Sequence, residues 1–373
     1  MKKVTILALH LNYGGIERFI TNLANSISDY YEVEIVSTYK LLDKPFFKLN
    51  NNITVKYLIT VLKPNKRLVK KYLKERRLIK LFKEIIKSIK ILYYKKSRMI
   101  KYIKDCDSDI IISTRDIHNK WLGKYGKASA LKIGSEHNDI DSTKYIKTIS
   151  NTAKKLDCFV VVSKKMVEDY KKYLSIPVIN IPNSIEKLPN AFSRFNTNNV
   201  ISVGRLESVK GFEDLIDVFQ MAVLKNKNIV LNIVGDGSQY KLLENKINDL
   251  GLQANIRLLG YKNSKELSEL YNKSCIYVMT SFSESFGLVL LEAQSHKLPC
   301  IAFDSANGAK ELIHEGLDGY LIDNRDKEKM ANKILELIND KDKCKKFGEK
   351  ALENSKNYLS KNIKEKWVDI FEK

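Results

Sequence analysis

Short apolar runs rich in Val, Ile and Leu alternate along the chain with stretches whose apolar positions recur every three or four residues. Residues 4–9, 33–37, 53–58, 110–113, 131–134, 158–162 and 178–181 read as strands separated by helices. Their continuous apolar character is what strands show when helices cover both faces of a parallel sheet. The pattern restarts at 200–203, 229–234, 256–259, 276–279, 298–303 and 320–322, which predicts a second sheet. Between the two series, Ile181-Pro182-Asn183-Ser184 and the polar stretch 189–199 carry turn and linker chemistry. The predicted fold is α/β with two Rossmann-like domains, residues 1–189 and 190–357, and a last helix, 358–373, crossing back to the first domain. Ligands of open α/β sheets bind at the carboxyl ends of the strands, so two such domains facing each other define a cleft.

Composition narrows the classes. With 373 residues and 44% hydrophobic content the chain can bury two cores. Five cysteines, Cys106, Cys158, Cys275, Cys300 and Cys344, are widely spaced without a CxxC pair, and read as reduced core thiols with no metal site. The apolar start is broken by His10 and Asn12 before it reaches signal-peptide length, and no run approaches the ~18 apolar residues of a membrane span. A cytoplasmic protein, peripheral on the inner face of the cell membrane, is therefore expected.

The net charge of +21 is unevenly placed. Residues 63–104 hold 17 Lys or Arg against Glu75 and Glu84, a net +15. Within this segment Leu78, Phe82, Ile85, Ile89 and Leu92 recur at helical spacing, flanked by Lys80, Lys83, Lys87 and Lys90. Such a helix suits an anionic membrane surface, with Tyr93 and Tyr94 as interfacial anchors. Alternatively, its apolar stripe packs on the first domain and the lysines are merely solvated. The aromatics are too few and too uneven for a base-stacking platform, so nucleic acid is not an expected partner.

Candidate chemistry follows the strands. Gly14 and Gly15 open a helix, where backbone amides and the helix dipole favour an anion, unless they form only a tight turn. After residue 203 a turn brings Arg205 and Lys210 together, a fork and a point charge suited to a diphosphate or two solvated surface cations. Gly235-Asp236-Gly237 ends another strand, as a ligand approach or a plain turn. Glu284 and Glu292 lie eight residues apart. A helix beginning near Phe286 leaves Glu284 in the preceding loop and Glu292 about two turns inside, where a partly buried carboxylate needs a hydroxyl or a cation.

Taken in order, Gly14-Gly15-Ile16-Glu17-Arg18, Ile181-Pro182-Asn183-Ser184, Gly204-Arg205 to Lys210-Gly211, Gly235-Asp236-Gly237 and the Glu284 to Glu292 spacing resemble the family 4 retaining glycosyltransferases of the GT-B fold, of the bacterial surface-polysaccharide type, over nearly the whole chain. Gly316-Leu317-Asp318-Gly319 before residues 320–323 also resembles the family's closing strand. The resemblance implies that Arg205 and Lys210 hold the donor diphosphate, that Glu292 binds the ribose and that Glu284 lies beside the donor sugar. Gly15 would face the phosphates from the first domain, and Gly14, Gly235, Asp236, Gly237, Phe286, Gly287 and Leu288 complete the nucleotide-binding positions. His137 falls where relatives place a histidine near the reacting sugar and acceptor, or serves as a hydrogen-bonded structural residue. Ser285, where many members have glycine, and Asn307-Gly308-Ala309 differ from the common pattern and leave the donor sugar open. The implied reaction moves a sugar from a nucleotide-sugar, UDP being the commoner donor, to a hydroxyl of a lipid-linked oligosaccharide or of a capsule or other polysaccharide precursor. Configuration is retained, with no metal and no cofactor besides the donor. A GT-B-like nucleotide-sugar epimerase leaves the basic helix without a purpose. A basic nucleic-acid-binding protein leaves Glu284 and Glu292 unused.

Overall fold

The computed structural model describes residues 1–60, 65–138 and 142–373; Lys63, where the basic segment begins, lies outside them. Seven parallel strands form the first sheet: β1 (Lys3–Ala8), β2 (Glu32–Tyr39), β3 (Thr54–Ile59), β4 (Ile110–Ser113), β5 (Leu131–Glu136), β6 (Cys158–Val161) and β7 (Val178–Asn180). Six form the second: β8 (Asn199–Val203), β9 (Val230–Val234), β10 (Ile256–Leu258), β11 (Ile276–Met279), β12 (Cys300–Phe303) and β13 (Gly319–Ile322). Every strand expected from the apolar runs is present, within two residues at either end. The strand orders, 3-2-1-4-5-6-7 and 10-9-8-11-12-13, are those of doubly wound sheets, in which the order reverses beside the first strand of each. That reversal leaves crevices at the carboxyl ends of β1 and β8, where the Gly14 turn and the Arg205 turn begin.

Helices cover both faces. The last one, Ser360–Phe371, returns to the first domain: Trp367 packs on Phe19 with ring centroids 5.9 Å apart, Phe371 meets Tyr31 edge-on at 5.4 Å, and Lys2 pairs with Glu372 at 2.7 Å. All five cysteines are buried free thiols.

The helix Leu78–Asp105 divides into two halves. Its later part packs inward through Ile91, Met99 and Ile103, all buried. The earlier part turns its apolar stripe to solvent, with Ile79 76%, Phe82 66% and Ile89 61% exposed. Packing on the first domain therefore accounts for the second half of the helix and not for the stripe from Leu78 to Tyr93. Among the described residues no helix is long and apolar enough to cross a membrane.

Candidate active site

Two turns meet across the cleft. In the first domain β1 leads into the helix Gly15–Ile27, with Gly14 at its N-cap. Gly14 takes φ 156°, a conformation that residues with a side chain rarely adopt, and a Cβ there would sit 2.2 Å from Glu17 Oε2, whereas the space beside Gly15 is open to 4 Å. Glu17 is buried. Its carboxylate accepts from Arg115 at 3.0 Å and lies 3.3 Å from His10 Nδ1. Burial raises its pKa, and Arg115 and, from the second domain, Arg205 pull it back down. The charge on Arg205 is thus felt at the first-domain turn. Arg205 itself is exposed, on the loop between β8 and the helix Phe212–Lys225.

Lys210 ends that loop and forms an ion pair with Glu284. Glu284 stands on the loop after β11, which is held from behind: Arg325 donates to the carbonyls of Thr280 at 3.0 Å and Ser281 at 3.3 Å, and pairs with Asp214 at 2.5 Å. The same loop crosses to the first domain, where Ser285 Oγ donates to the carbonyl of His137 at 2.6 Å. His137 lies just beyond β5, buried, its ring against Phe19 at 4.1 Å and its Nε2 2.7 Å from Ser135 Oγ. Burial lowers its pKa to about 3, so the ring is neutral near pH 7. Glu136 orders this turn: one carboxylate oxygen accepts from the amides of His137 and Asn138 at 2.9 and 2.8 Å, the other from Tyr145 at 3.2 Å. The structure thus brings Gly15, Arg205, Lys210, Glu284 and His137 to one cleft.

Glu292 lies farther along. The helix begins at Leu288, two residues later than expected, because Gly287 at its N-cap takes φ 85°, in the left-handed region. Glu292 is therefore about one turn inside and not two. Of the partners expected for a buried carboxylate, the one present is a cation: Arg18 of the first domain lies 3.8 Å away. Burial raises the Glu292 pKa, and Arg18 opposes the rise. Both residues line a cavity of about 520 Å³ between the domains, with Tyr261, Asn263, Phe46 and Phe47.

The remaining positions are placed differently. Gly235 and Gly237 pack against protein: a Cβ would meet Gly204 O at 1.8 Å and Leu206 O at 2.4 Å. They brace the Arg205 loop, and Asp236 Oδ1 accepts from the amide of Gly237 at 2.7 Å. The Phe286 side chain is buried and meets Tyr358 at 5.6 Å, so its ring is not at hand for a ligand, whereas Leu288 is half-buried. Among the described residues no three His, Cys, Asp or Glu side chains are grouped to hold a metal ion. Sequence reasoning missed Arg115, Glu136 and Arg325. Arg115 follows a buried strand directly, a position that marks a crevice residue. Arg325 carries no local signal, since the Thr280 and Ser281 carbonyls it holds and its partner Asp214 lie 45, 44 and 111 residues away in sequence.

Two doubly wound parallel-sheet domains facing a cleft are the architecture of the GT-B fold. Residues 185–354 match the family described as Glycosyl transferases group 1. The chain is 28% identical over 381 residues to the amylovoran biosynthesis glycosyltransferase AmsD of Erwinia amylovora, covering 96% of both chains. It is 29% identical over 300 residues to a poly(ribitol-phosphate) alpha-N-acetylglucosaminyltransferase of Staphylococcus aureus, covering 78% of this chain and 60% of that one. An exopolysaccharide phosphotransferase of Streptomyces coelicolor is 26% identical over the full chain, which spans 40% of its length. The chain thus spans 40% and 60% of the length of two of the curated relatives it matches. In fold it superposes on a mutant of Staphylococcus aureus TarM bound to fondaparinux, alpha-GlcNAc-glycerol and UDP, with a TM-score of 0.79 at 20% identity and complete coverage of both chains.

Proposed function

We propose that this chain is a retaining glycosyltransferase of family 4 that moves a sugar from a UDP-sugar to a hydroxyl of a lipid-linked oligosaccharide or surface-polysaccharide precursor, with residues 1–189 on the acceptor side and 190–357 holding the donor. The observation that carries the reading is the Lys210–Glu284 pair on a loop that reaches His137 of the first domain, with the Arg205 charge acting on Glu17, two residues beyond the open helix start at Gly15. Departure of a nucleoside diphosphate builds negative charge, and donors already in place for it lower the barrier without reorganising. Arg205, Lys210 and the amides at Gly15 are those donors. Glu284 sits beside the sugar, and Glu292 exchanges Arg18 for the ribose hydroxyls. His137, neutral, offers hydrogen bonding rather than charge. The acceptor hydroxyl attacks from the face the diphosphate leaves, and its proton passes to the departing phosphate, so the scheme needs neither an enzyme base nor a metal. The polymers named in the relatives support an acceptor of this kind, carried at a membrane that the enzyme reaches as a peripheral protein through residues 63–104.

A panel of nucleotide-sugars tests the reading, scored by release of free nucleoside diphosphate and by thermal protection. A ligand at 100 times its Kd stabilises the folded state by about 2.7 kcal/mol. Absence of both turnover and protection with every donor overturns the proposal, and interconversion of the donor without release makes the chain an epimerase.

A further inference from the structure

The inward half of the helix Leu78–Asp105 carries one residue out of keeping with its neighbours. Ile91, Lys95, Met99 and Ile103 follow one another at intervals of four and form one stripe along the helix. Ile91, Met99 and Ile103 are buried, and Lys95 is half-buried between them. Burial lowers the Lys95 pKa, Asp116 raises it and Arg115 lowers it again, both by charge alone. Among the described residues no carboxylate forms an ion pair with Lys95 and no acceptor a hydrogen bond. An unpaired ammonium drawn partly out of water is a cost that an aliphatic side chain in the same stripe would avoid. A local rule broken in this way marks a functional position.

The surroundings place Lys95 at the carboxyl end of the first sheet. One turn before it, Ile91 packs with Tyr39 and Ile59, which end β2 and β3, and with Leu9, just past β1. His118, whose pKa is lowered by burial and then by the charges of Lys95 and Arg115, lies with Nε2 3.2 Å from Thr38 Oγ1. Thr38 in turn donates to Ala8 O, at the end of β1, at 3.2 Å. Arg115 enters the same crevice from the turn after β4. Among the described residues only its Nη2 is engaged, on Glu17 at 3.0 Å, so the guanidinium keeps donors to spare. Glu17 is matched to Arg115 and Asp116 is exposed to solvent, which leaves Lys95 as the cation without a partner.

We propose that Lys95 and Arg115 bind a phosphate group of the acceptor in the first-domain crevice. That the phosphate belongs to the acceptor rests on the transferase reading, in which residues 1–189 take the acceptor side; that Lys95 binds phosphate does not. A phosphate ester offers three oxygens at tetrahedral corners, enough to accept from an ammonium and a guanidinium on different elements at once. Lys95 lies about 22 Å along the helix axis from Lys80, so one rigid element joins the outward stripe to the crevice. The consequence is selectivity: an acceptor that carries phosphate is held, and its neutral counterpart is not.

Calorimetry on the full chain tests this, with the nucleoside diphosphate that gives the best thermal protection present in excess so that the donor cleft is filled. Glycerol 3-phosphate, glycerate and glycerol are the probes, one skeleton bearing a phosphate, a carboxylate or no charge. Glycerol 3-phosphate should bind the wild type, and Lys95→Met should raise its Kd by at least ~10-fold, as loss of one hydrogen bond to a charged group does. Lys95→Arg should keep most of the affinity, and Lys87→Met, on the outward half of the helix, all of it. Lys95→Met should still float with phosphatidylserine vesicles, which separates the site from surface attachment. Unchanged affinity for glycerol 3-phosphate in Lys95→Met overturns the site. So does a wild type that binds none of the three probes or binds glycerate as tightly as the ester, and so does a Lys95→Met variant that loses vesicles and ester together. Inorganic phosphate bound as tightly as the ester, with the same dependence on Lys95, makes the site one for free phosphate and overturns its assignment to the acceptor. If no nucleotide-sugar is turned over while glycerol 3-phosphate still binds through Lys95, the transferase reading falls and the phosphate site stands.

Discussion

The two domains hold their charge in different ways. In the first, the cations of the helix Leu78–Asp105 stand beside an apolar stripe that faces water, with Ile79, Phe82 and Ile89 each more than 60% exposed. In the second, cations are tied to carboxylates: Lys210 to Glu284, Arg325 and Lys327 to Asp214, Lys246 to Asp217, Lys343 to Glu336. Exposed charge backed by apolar surface has no use inside the molecule and suits an extended anionic partner. Paired charge at the mouth of a crevice holds loops in place and can be handed to a ligand. On this difference rests the proposed division of surface attachment in one domain and donor chemistry in the other.

The largest effect that tests the contrast is charge reversal on the outward helix. Each lysine near an anionic surface contributes ~1 kcal/mol, so changing Lys80, Lys83, Lys87 and Lys90 to Glu should weaken binding to phosphatidylserine vesicles by at least ~1,000-fold, while donor hydrolysis persists. Flotation at low and at high salt reads this directly, because exposed attraction is screened. If the wild-type protein stays with the soluble fraction at low salt, the first half of the contrast fails.

Next in size, Arg205→Ala or Lys210→Ala should cut turnover at saturating donor by at least ~100-fold with the fold intact, as loss of an oxyanion donor does. Undiminished turnover in either variant would remove the phosphate assignment.

A third test addresses the neutral groups packed into the first domain. His118 is fully buried, its Nε2 3.2 Å from Thr38 Oγ1, and burial lowers its pKa to about 3, as it does for His137. An unfolded histidine titrates near 6.5, so between about pH 6.5 and 3 the unfolded chain binds protons that the folded one refuses, and stability falls as pH falls. At 1.36 kcal/mol per unit, each such ring costs about 2 kcal/mol by pH 5. Glu17, Glu136 and Glu292, whose pKa values burial raises, act in the opposite sense. The informative quantity is therefore the gap between wild type and His118→Gln in urea titrations. Wild type should lose about 2 kcal/mol relative to the variant from pH 7 to pH 5, and a constant gap would show that the ring is reached by water.

The smallest effect separates the two carboxylates of the second domain. Glu292→Gln should raise the Kd for free nucleoside diphosphate by ~10-fold, the worth of one charged hydrogen bond, whereas Glu284→Gln should leave that Kd in place and lower turnover. Equal nucleotide affinity in wild type and Glu292→Gln would cancel the ribose role.

Much of this molecule was legible in the chain alone. The inner strands announced themselves because a parallel strand covered on both faces must be apolar throughout, a local property, while the edge strands β3 and β10 were legible although they carry Lys56 and Arg257. The turns carrying Gly15, Arg205 and Glu284 were legible for the same reason, since each directly follows such a strand. Other features depended on contacts between distant segments. Gly15 and Gly235 look alike as letters, but one faces open space and the other meets the carbonyl of Gly204, and only the packed loops distinguish them. The stripe from Leu78 to Tyr93 has one periodicity whether it faces core or water; the docking of Ile91, Met99 and Ile103 decided which. Arg18 and Glu292 are 274 residues apart, as are Ser285 and His137 by 148, and no local pattern encodes such partners. The periodicity of apolar residues determined the elements and their class. The closing of two domains over a shared cleft decided which charges meet, because a contact between domains depends on the placement of both.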